Sequence, residues 1–236
     1  MLALDSAVAR RATAELVGTA FLVATVVGSG IMATELTDDV GLQLLANSLA
    51  TGAVLVALIL ALQPVSAAFN PVVTLAELVT GPVTRTAALA ASVLVAAQVA
   101  GGIVGAVVAN LMFDLHAVTW STTDRSGSHL WLGEVVATLG LVLVVLMMSR
   151  SGRGDSIAYA VGGYITAAYW FTSSTSFANP AVTVARMFSD TFAGIEPGSV
   201  SMFVLMQLVG AALAVIVARA LSDRDRDGGS HDHDRA

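Results

Sequence analysis

Six stretches of the 236-residue chain contain no Asp, Glu, Lys or Arg: residues 16–34, 40–76, 86–113, 135–149, 156–185 and 197–218. A water-soluble domain covers its surface with charge and interrupts such runs every few residues. A membrane-spanning helix needs about 20 consecutive apolar residues, and these stretches supply them. Composition agrees, with 56% hydrophobic and 12% charged residues against about 25% charged in a soluble domain. An all-α membrane protein is therefore expected. The net charge of −6, with no basic stripe, argues against a nucleic-acid partner. There is no Cys, and the apolar stretches hold no His-Glu-x-x-His, Gly-x-Ser-x-Gly or paired Asp. No metal, no cofactor and no intramembrane enzyme chemistry is expected.

Stretches 16–34, 86–113, 135–149 (extended back to Leu130 across Glu134) and 197–218 each fit one span. The other two are too long for one helix. Residues 40–76 are interrupted by Pro64 and then Asn70-Pro71, and 156–185 by the polar run 172–176 and then Asn179-Pro180. Asn is a favoured N-cap and Pro is pre-organised for a first helical turn. Each pair thus predicts the start of a short helix, near 70–80 and 179–189, following a full span.

Six spans put both termini on one side of the membrane. That side carries Arg10, Arg11, Arg85, Arg150, Arg153, Arg219, Arg224, Arg226 and Arg235, and the other only Arg125 and Arg186. The arginine bias places both termini in the cytoplasm of a cell inner (plasma) membrane protein. The first stretch lacks a small-residue cleavage site and reads as a span, not a signal peptide. Residues 1–11 are expected as a cytoplasmic N-terminus. The tail 222–236 is rich in Asp, Arg, Gly and His, and is expected to be disordered and cytoplasmic, with His231 and His233 solvated.

The two halves repeat. Asn70-Pro71-Val72-Val73-Thr74-Leu75-Ala76 matches Asn179-Pro180-Ala181-Val182-Thr183-Val184-Ala185, and Gln98-Val-Ala-Gly101 matches Gln207-Leu-Val-Gly210 at the same offset of 109. Upstream, Glu15-Leu-Val-Gly-Thr19 matches Glu134-Val-Val-Ala-Thr138 at an offset of 119. The ten extra residues of the first half are expected in its first loop, around Thr34–Gly41. One domain over 12–221 results, with repeat one at 12–112 and repeat two at 130–221. Each repeat has three spans, an odd number, so the second enters the membrane inverted. The two half-helices then meet with their N-termini near the midplane. Each end carries roughly +0.5 charge from its dipole. With Asn70 and Asn179 at the tips, that waist suits an uncharged hydroxylated solute and repels a cation.

Two Asn-Pro boxes in inverted halves, with Glu15 and Glu134 in the first and fourth spans, resemble the aquaporin (major intrinsic protein) family over residues 12–221. The resemblance implies a right-handed bundle of six transmembrane helices plus two re-entrant half-helices, assembled as a homotetramer in the lipid bilayer. It implies a passive channel in which Asn70 and Asn179 donate hydrogen bonds to small neutral solutes. The departures bear on which solutes. The first box ends in Val72 where the family has Ala, and no His precedes it. The Arg that water and glycerol channels carry after the second box is Val182 here. Alignment to the family's constriction gives a filter of Thr51 (or Ala50), Ala167, Ser176 and Val182, wider and less polar than a water-selective one. Cation exclusion is then left to the half-helix dipoles. Residues 179–186 with Ser189-Asp190-Thr191-Phe192-Ala193-Gly194-Ile195 resemble a subgroup associated with bacterial arsenic resistance. That subgroup implies passage of glycerol-like polyols, arsenite as As(OH)₃ and related metalloid hydroxides, and water.

Other readings stay open. Glu15 and Glu134 are intramembrane carboxylates; they either hold the loops before the half-helices through backbone N–H bonds or serve as coupling groups of a secondary transporter. An ordinary water-selective aquaporin is a further alternative. Arg186 either reaches the pore mouth or pairs with Asp190. Gly18, Gly101, Gly102, Gly105, Gly162, Gly163 and Gly210 are expected where helices pack closely. Met147 and Met148 are expected as core or lipid-facing residues.

Overall fold

The computed structural model describes residues 5–227. Among these residues the chain is helical, without strands. The helices are α1 (Ser6–Leu36), α2 (Val40–Leu62), α3 (Pro71–Thr80), α4 (Arg85–Met112), α5 (Ser128–Arg150), α6 (Ile157–Phe171), α7 (Pro180–Arg186) and α8 (Pro197–Asp227). Five of them, α1, α2, α4, α5 and α8, are long and apolar enough to cross a membrane by length and composition. A 3₁₀ turn at Gly154–Ser156 leads directly into the 15-residue α6 and lengthens it toward a sixth span. The short helices α3 and α7 are capped by Asn70 and Asn179, with Pro at the first turn of each.

Packing repeats with the sequence. In the first half α1 lies against α4 and in the second α5 against α8, while α2 and α6 pack on each other across the halves. Glycine sets the closest crossings. A Cβ on Gly101 or Gly105 of α4 would fall on the carbonyls of Leu16 or Ala20 of α1, and one on Gly210 of α8 would lie 2.6 Å from Val135 O of α5. Gly52 of α2 and Gly162 of α6 face each other's carbonyls in the same way. Gly163 departs from the expectation: it is exposed, with nothing within 4 Å of where its Cβ would be.

The ten extra residues of the first half are not in a loop. The α1–α2 connection is only residues 37–39, as short as the 151–153 connection after α5. Instead α1 continues 21 residues beyond Glu15, to Leu36, whereas α5 continues 16 beyond Glu134, to Arg150. Likewise α2 has 23 residues, against 18 for the 3₁₀ turn with α6. Each helix of the hairpin is five residues longer, about 7.5 Å at 1.5 Å per residue. Local chemistry closes the tight connection. Asp39 Oδ1 accepts from Gly41 N and Leu42 N (2.8 and 3.1 Å), and Gln43 Nε2 donates to Thr37 O (2.7 Å).

Both ends depart from the expected boundaries. Helix α1 starts at Ser6, where Asp5 Oδ1 accepts from Ala7 N, so most of the expected N-terminal segment 1–11 is helical. Helix α8 runs on to Asp227, past the expected domain limit at 221. The remainder of that tail, including His231 and His233, lies outside the described residues.

Candidate functional site

The connections before α3 and α7 bring both Asn-Pro boxes to the middle of the bundle. Asn70 Nδ2 donates to Ala178 O and Asn179 Nδ2 donates to Phe69 O, each at 2.8 Å. Each side chain thus bonds the residue preceding the other box, and the two half-helix N-termini are tied together. The Asn oxygens cap their own helices: Asn70 Oδ1 accepts from Val72 N, and Asn179 Oδ1 from Ala181 N and Val182 N. A primary amide has two N–H donors, so each Asn keeps one for the lumen that both side chains line.

The preceding residues adopt left-handed backbone, at φ +47° for Phe69 and +48° for Ala178. Buried carboxylates hold them there. Glu15 accepts from Ser66 Oγ (2.5 Å), Ala68 N (3.0 Å), Phe69 N (2.7 Å) and Gln98 Nε2 (2.7 Å). Glu134 accepts from Phe177 N, Ala178 N (both 2.9 Å) and Gln207 Nε2 (2.5 Å). Gln98 and Gln207 also donate to Thr74 and Thr183 of the half-helices. The two glutamines stood out in sequence only as repeat anchors; here they fasten carboxylate and half-helix to one another. The halves also exchange volume: the Phe69 ring occupies the space a Cβ on Gly18 would need. The repeat-equivalent positions are Ala178 and Ala137.

A narrow cavity of about 50 Å³ runs outward from the Asn boxes. Its apolar lining includes Leu22, Val26, Leu55, Leu141, Ile165 and Val182. Polar groups on its wall are Asn70, Asn179, Thr51, Tyr169 and Ser176, whose buried Oγ has no partner among the described residues. Ala68 and Val73 also border a wider vestibule of about 320 Å³ toward the chain-end face, where Arg11 and Glu77 stand.

The lining departs from the expected site at two places. Ala167 is exposed on the outside of α6, whereas Tyr169 is buried and faces the lumen. Tyr169 Oη meets Thr51 Oγ1 of α2 at 3.2 Å, so an aromatic does stand at this level. Helical spacing was the available signal, because Val161, Ile165 and Tyr169 recur every four residues on one face of α6, as do Thr51, Leu55 and Ile59 on α2. Thr51, not Ala50, lines the cavity. The second departure concerns the box ends. Val72 turns away from the lumen into an apolar groove against Leu208, Ala211 and Val215 of α8. Ala181 is fully buried, and its carbonyl lies 3.1 Å from where a Cβ on Gly102 would be.

Arg186 lies one turn beyond Val182, 3% exposed, and borders the cavity. It does not depend on Asp190, which accepts from Thr122 N and Oγ1 (2.9 and 3.1 Å). Arg186 Nε donates to Ala193 O, and its guanidinium carbon is 3.4 Å from the centroid of the Phe177 ring. Sequence reading missed Phe177 and the neighbouring Arg125, which reaches the same ring from the loop between α4 and α5.

Comparison with known proteins agrees with this geometry. Residues 3–156 match the family model described as major intrinsic protein, and the chain is 51% identical over 213 residues to Aquaglyceroporin AqpS of Rhizobium meliloti (strain 1021), covering 90% of each chain. The chain belongs to the major intrinsic protein family. It is a multi-pass membrane channel for small solutes. The aquaglyceroporin from Plasmodium falciparum has the same fold at 20% identity, with a TM-score of 0.65 over 92% of this chain and 96% of that one. Its likeness supports the six-span, two-half-helix bundle of an aquaporin.

Tyr169→Ala, which removes an aromatic ring from the cavity wall, should raise glycerol flux severalfold and water flux less. Tyr169→Phe, which keeps the ring and removes only the bond to Thr51, should change both by less. Stopped-flow light scattering on proteoliposomes reads both rates.

Proposed function

We propose that this channel passes glycerol-like polyols and uncharged metalloid hydroxides such as arsenite, along with water, down their gradients. The observation carrying this reading is the mixed lining of the lumen, where apolar groups such as Leu22 and Val182 stand beside the hydrogen-bonding Asn70, Asn179 and Ser176. A polyol or As(OH)₃ offers both faces, carbon or a lone-pair edge on one side and hydroxyls on the other. Val182 in place of a filter Arg leaves the second half-helix without a bulky donor at its first turn. The names of AqpS and of the Plasmodium protein, both aquaglyceroporins, support it.

In this reading Thr51, Tyr169, Ser176 and Val182 form the selective ring, with the Asn boxes below it. The arginine bias puts both termini in the cytoplasm of the inner membrane, and the family resemblance favours a homotetramer. No step requires a cofactor, and none is enzymatic. Glu15 and Glu134 act as loop supports, since their oxygens are engaged by backbone and glutamine donors and are poorly suited to exchanging a proton on each cycle. The Tyr169–Thr51 contact favours one second reading, stronger water selectivity, because it sets an aromatic hydroxyl on the cavity wall beside Thr51.

Flux separates the two. Wild-type proteoliposomes should pass glycerol and arsenite linearly with gradient and well above empty vesicles. Val182→Arg should cut both about tenfold, a barrier increase of ~1.4 kcal/mol, while sparing water. Fast water flux with no solute flux would favour the water-selective reading. Saturating, proton-dependent uptake would favour a transporter.

A further inference from the structure

We infer that Arg186, backed by Arg125, is the cation barrier of this channel, taking over electrostatically a position that Val182 leaves uncharged. The inference deepens the reading of the chain as a neutral-solute channel and rests on it.

Three observations carry it. First, Arg186 is 97% shielded from solvent, at 3% exposure, yet borders the lumen. Its charge therefore acts through a medium of low permittivity, where fields are weakly screened. Second, the guanidinium is held in place. Arg186 Nε donates to Ala193 O, and the group stacks at 3.4 Å over Phe177, whose own N–H is held by Glu134 at 2.9 Å. Third, no carboxylate among the described residues hydrogen-bonds to it. Asp190, the acidic residue nearest in sequence, accepts from Thr122 instead. The Glu134 oxygens accept from Phe177 N, Ala178 N and Gln207, and bond neither arginine.

Arg125 strengthens the argument. Its guanidinium carbon lies 4.9 Å from the same Phe177 centroid, and its Nε donates to Gly194 O at 2.8 Å. Two like charges drawn to one ring repel each other, an arrangement that stability alone does not favour. A field aimed at the passing solute accounts for both. A cation travelling about 6 Å from one such charge, at an effective permittivity near 20, is disfavoured about a hundredfold. A neutral hydroxylated solute meets no such barrier. Placing the charge one turn beyond Val182 separates charge rejection from the first turn of α7, so exclusion of cations does not require a donor-rich filter there.

The test compares full-length wild type, Arg186→Leu, Arg186→Lys and Arg125→Gln in proteoliposomes. Proton and sodium leak and glycerol flux are measured on the same vesicles, and the readout is leak per unit of glycerol flux. Arg186→Leu should raise that ratio at least tenfold, Arg125→Gln about threefold, and Arg186→Lys, which keeps the charge without the planar stack, should stay near wild type. If Arg186→Leu fails to assemble, Arg125→Gln on its partly exposed loop and Arg186→Lys carry the comparison. Ratios at the wild-type value in the charge-removing variants, or Arg186→Lys as leaky as a neutral substitution, would overturn the barrier. Absence of glycerol flux in the wild type would instead overturn the neutral-solute reading, which the leak measurements alone do not touch.

Discussion

Glu134→Ala should yield little folded channel, and what does fold should conduct no glycerol above empty vesicles. The carboxylate is fully buried and satisfies Phe177 N, Ala178 N and Gln207 Nε2. Removing it leaves three buried donors without an acceptor, at roughly 1–3 kcal/mol each. The total of about 3–9 kcal/mol is a large part of a typical folding free energy of about 5–15 kcal/mol. It also releases Ala178 from left-handed backbone, and with it the carbonyl that accepts from Asn70. The lesion therefore reaches the pore. Glu134→Gln keeps one acceptor oxygen but turns an N–H toward a donor, so an intermediate loss is expected. Glu15→Ala should be comparably severe, since Ser66 Oγ joins two backbone N–H groups and Gln98 on that carboxylate. Size-exclusion profiles in detergent after a heating series measure the stability, and stopped-flow scattering the flux. A coupling carboxylate would behave differently, with Glu134→Gln well folded and only the proton dependence of uptake lost.

The repeat singled out the two carboxylates, and loop support was one of the two roles open for them in sequence. A repeat that places a Glu, a Gln and a half-helix in fixed order in both halves requires something to satisfy the irregular backbone between them. The half-helices were legible for the same reason, since Asn-Pro encodes a cap and a first turn locally. Less was legible where three-dimensional register decides. The count along the fifth span gave Ala167, two residues short of Tyr169, because a count back from Asn179 carries no information on which face of α6 turns inward. The ten extra residues suggested a loop, although Asp39 caps a helix within three residues of the end of α1. Val72 reads as a pore change only while the half-helix is considered alone; its side chain points to α8. Arg186 required the folded loop, because Phe177 and Ala193, which hold it, are recognisable only once the chain returns across the top of α7.

A single methyl group on α4 should be nearly as damaging as the loss of a buried carboxylate. In Gly101→Ala the new Cβ falls on the Leu16 carbonyl oxygen, with Leu16 Cα only 3.0 Å away. Backbone cannot yield as a flexible side chain does, so α1 and α4 must move apart along their whole contact. Overpacking typically costs about 1–3 kcal/mol, and the upper end or beyond is expected here because no rotamer relieves the clash. Separation of α1 from α4 also lengthens the Gln98–Glu15 bond three residues away, which couples the crossing to the loop that positions Asn70. Gly210→Ala, at the repeat-equivalent place, meets Val135 O at 2.6 Å and should be damaging but milder. Gly163→Ala, with open space around it, should stay within about 0.5 kcal/mol of wild type. The order Gly101→Ala, Gly210→Ala, Gly163→Ala in thermal stability in detergent, with glycerol flux falling in parallel, would show that helix separation at the first repeat governs the pore. Equal stability of all three would mean that the helices tolerate wider spacing than their glycines suggest.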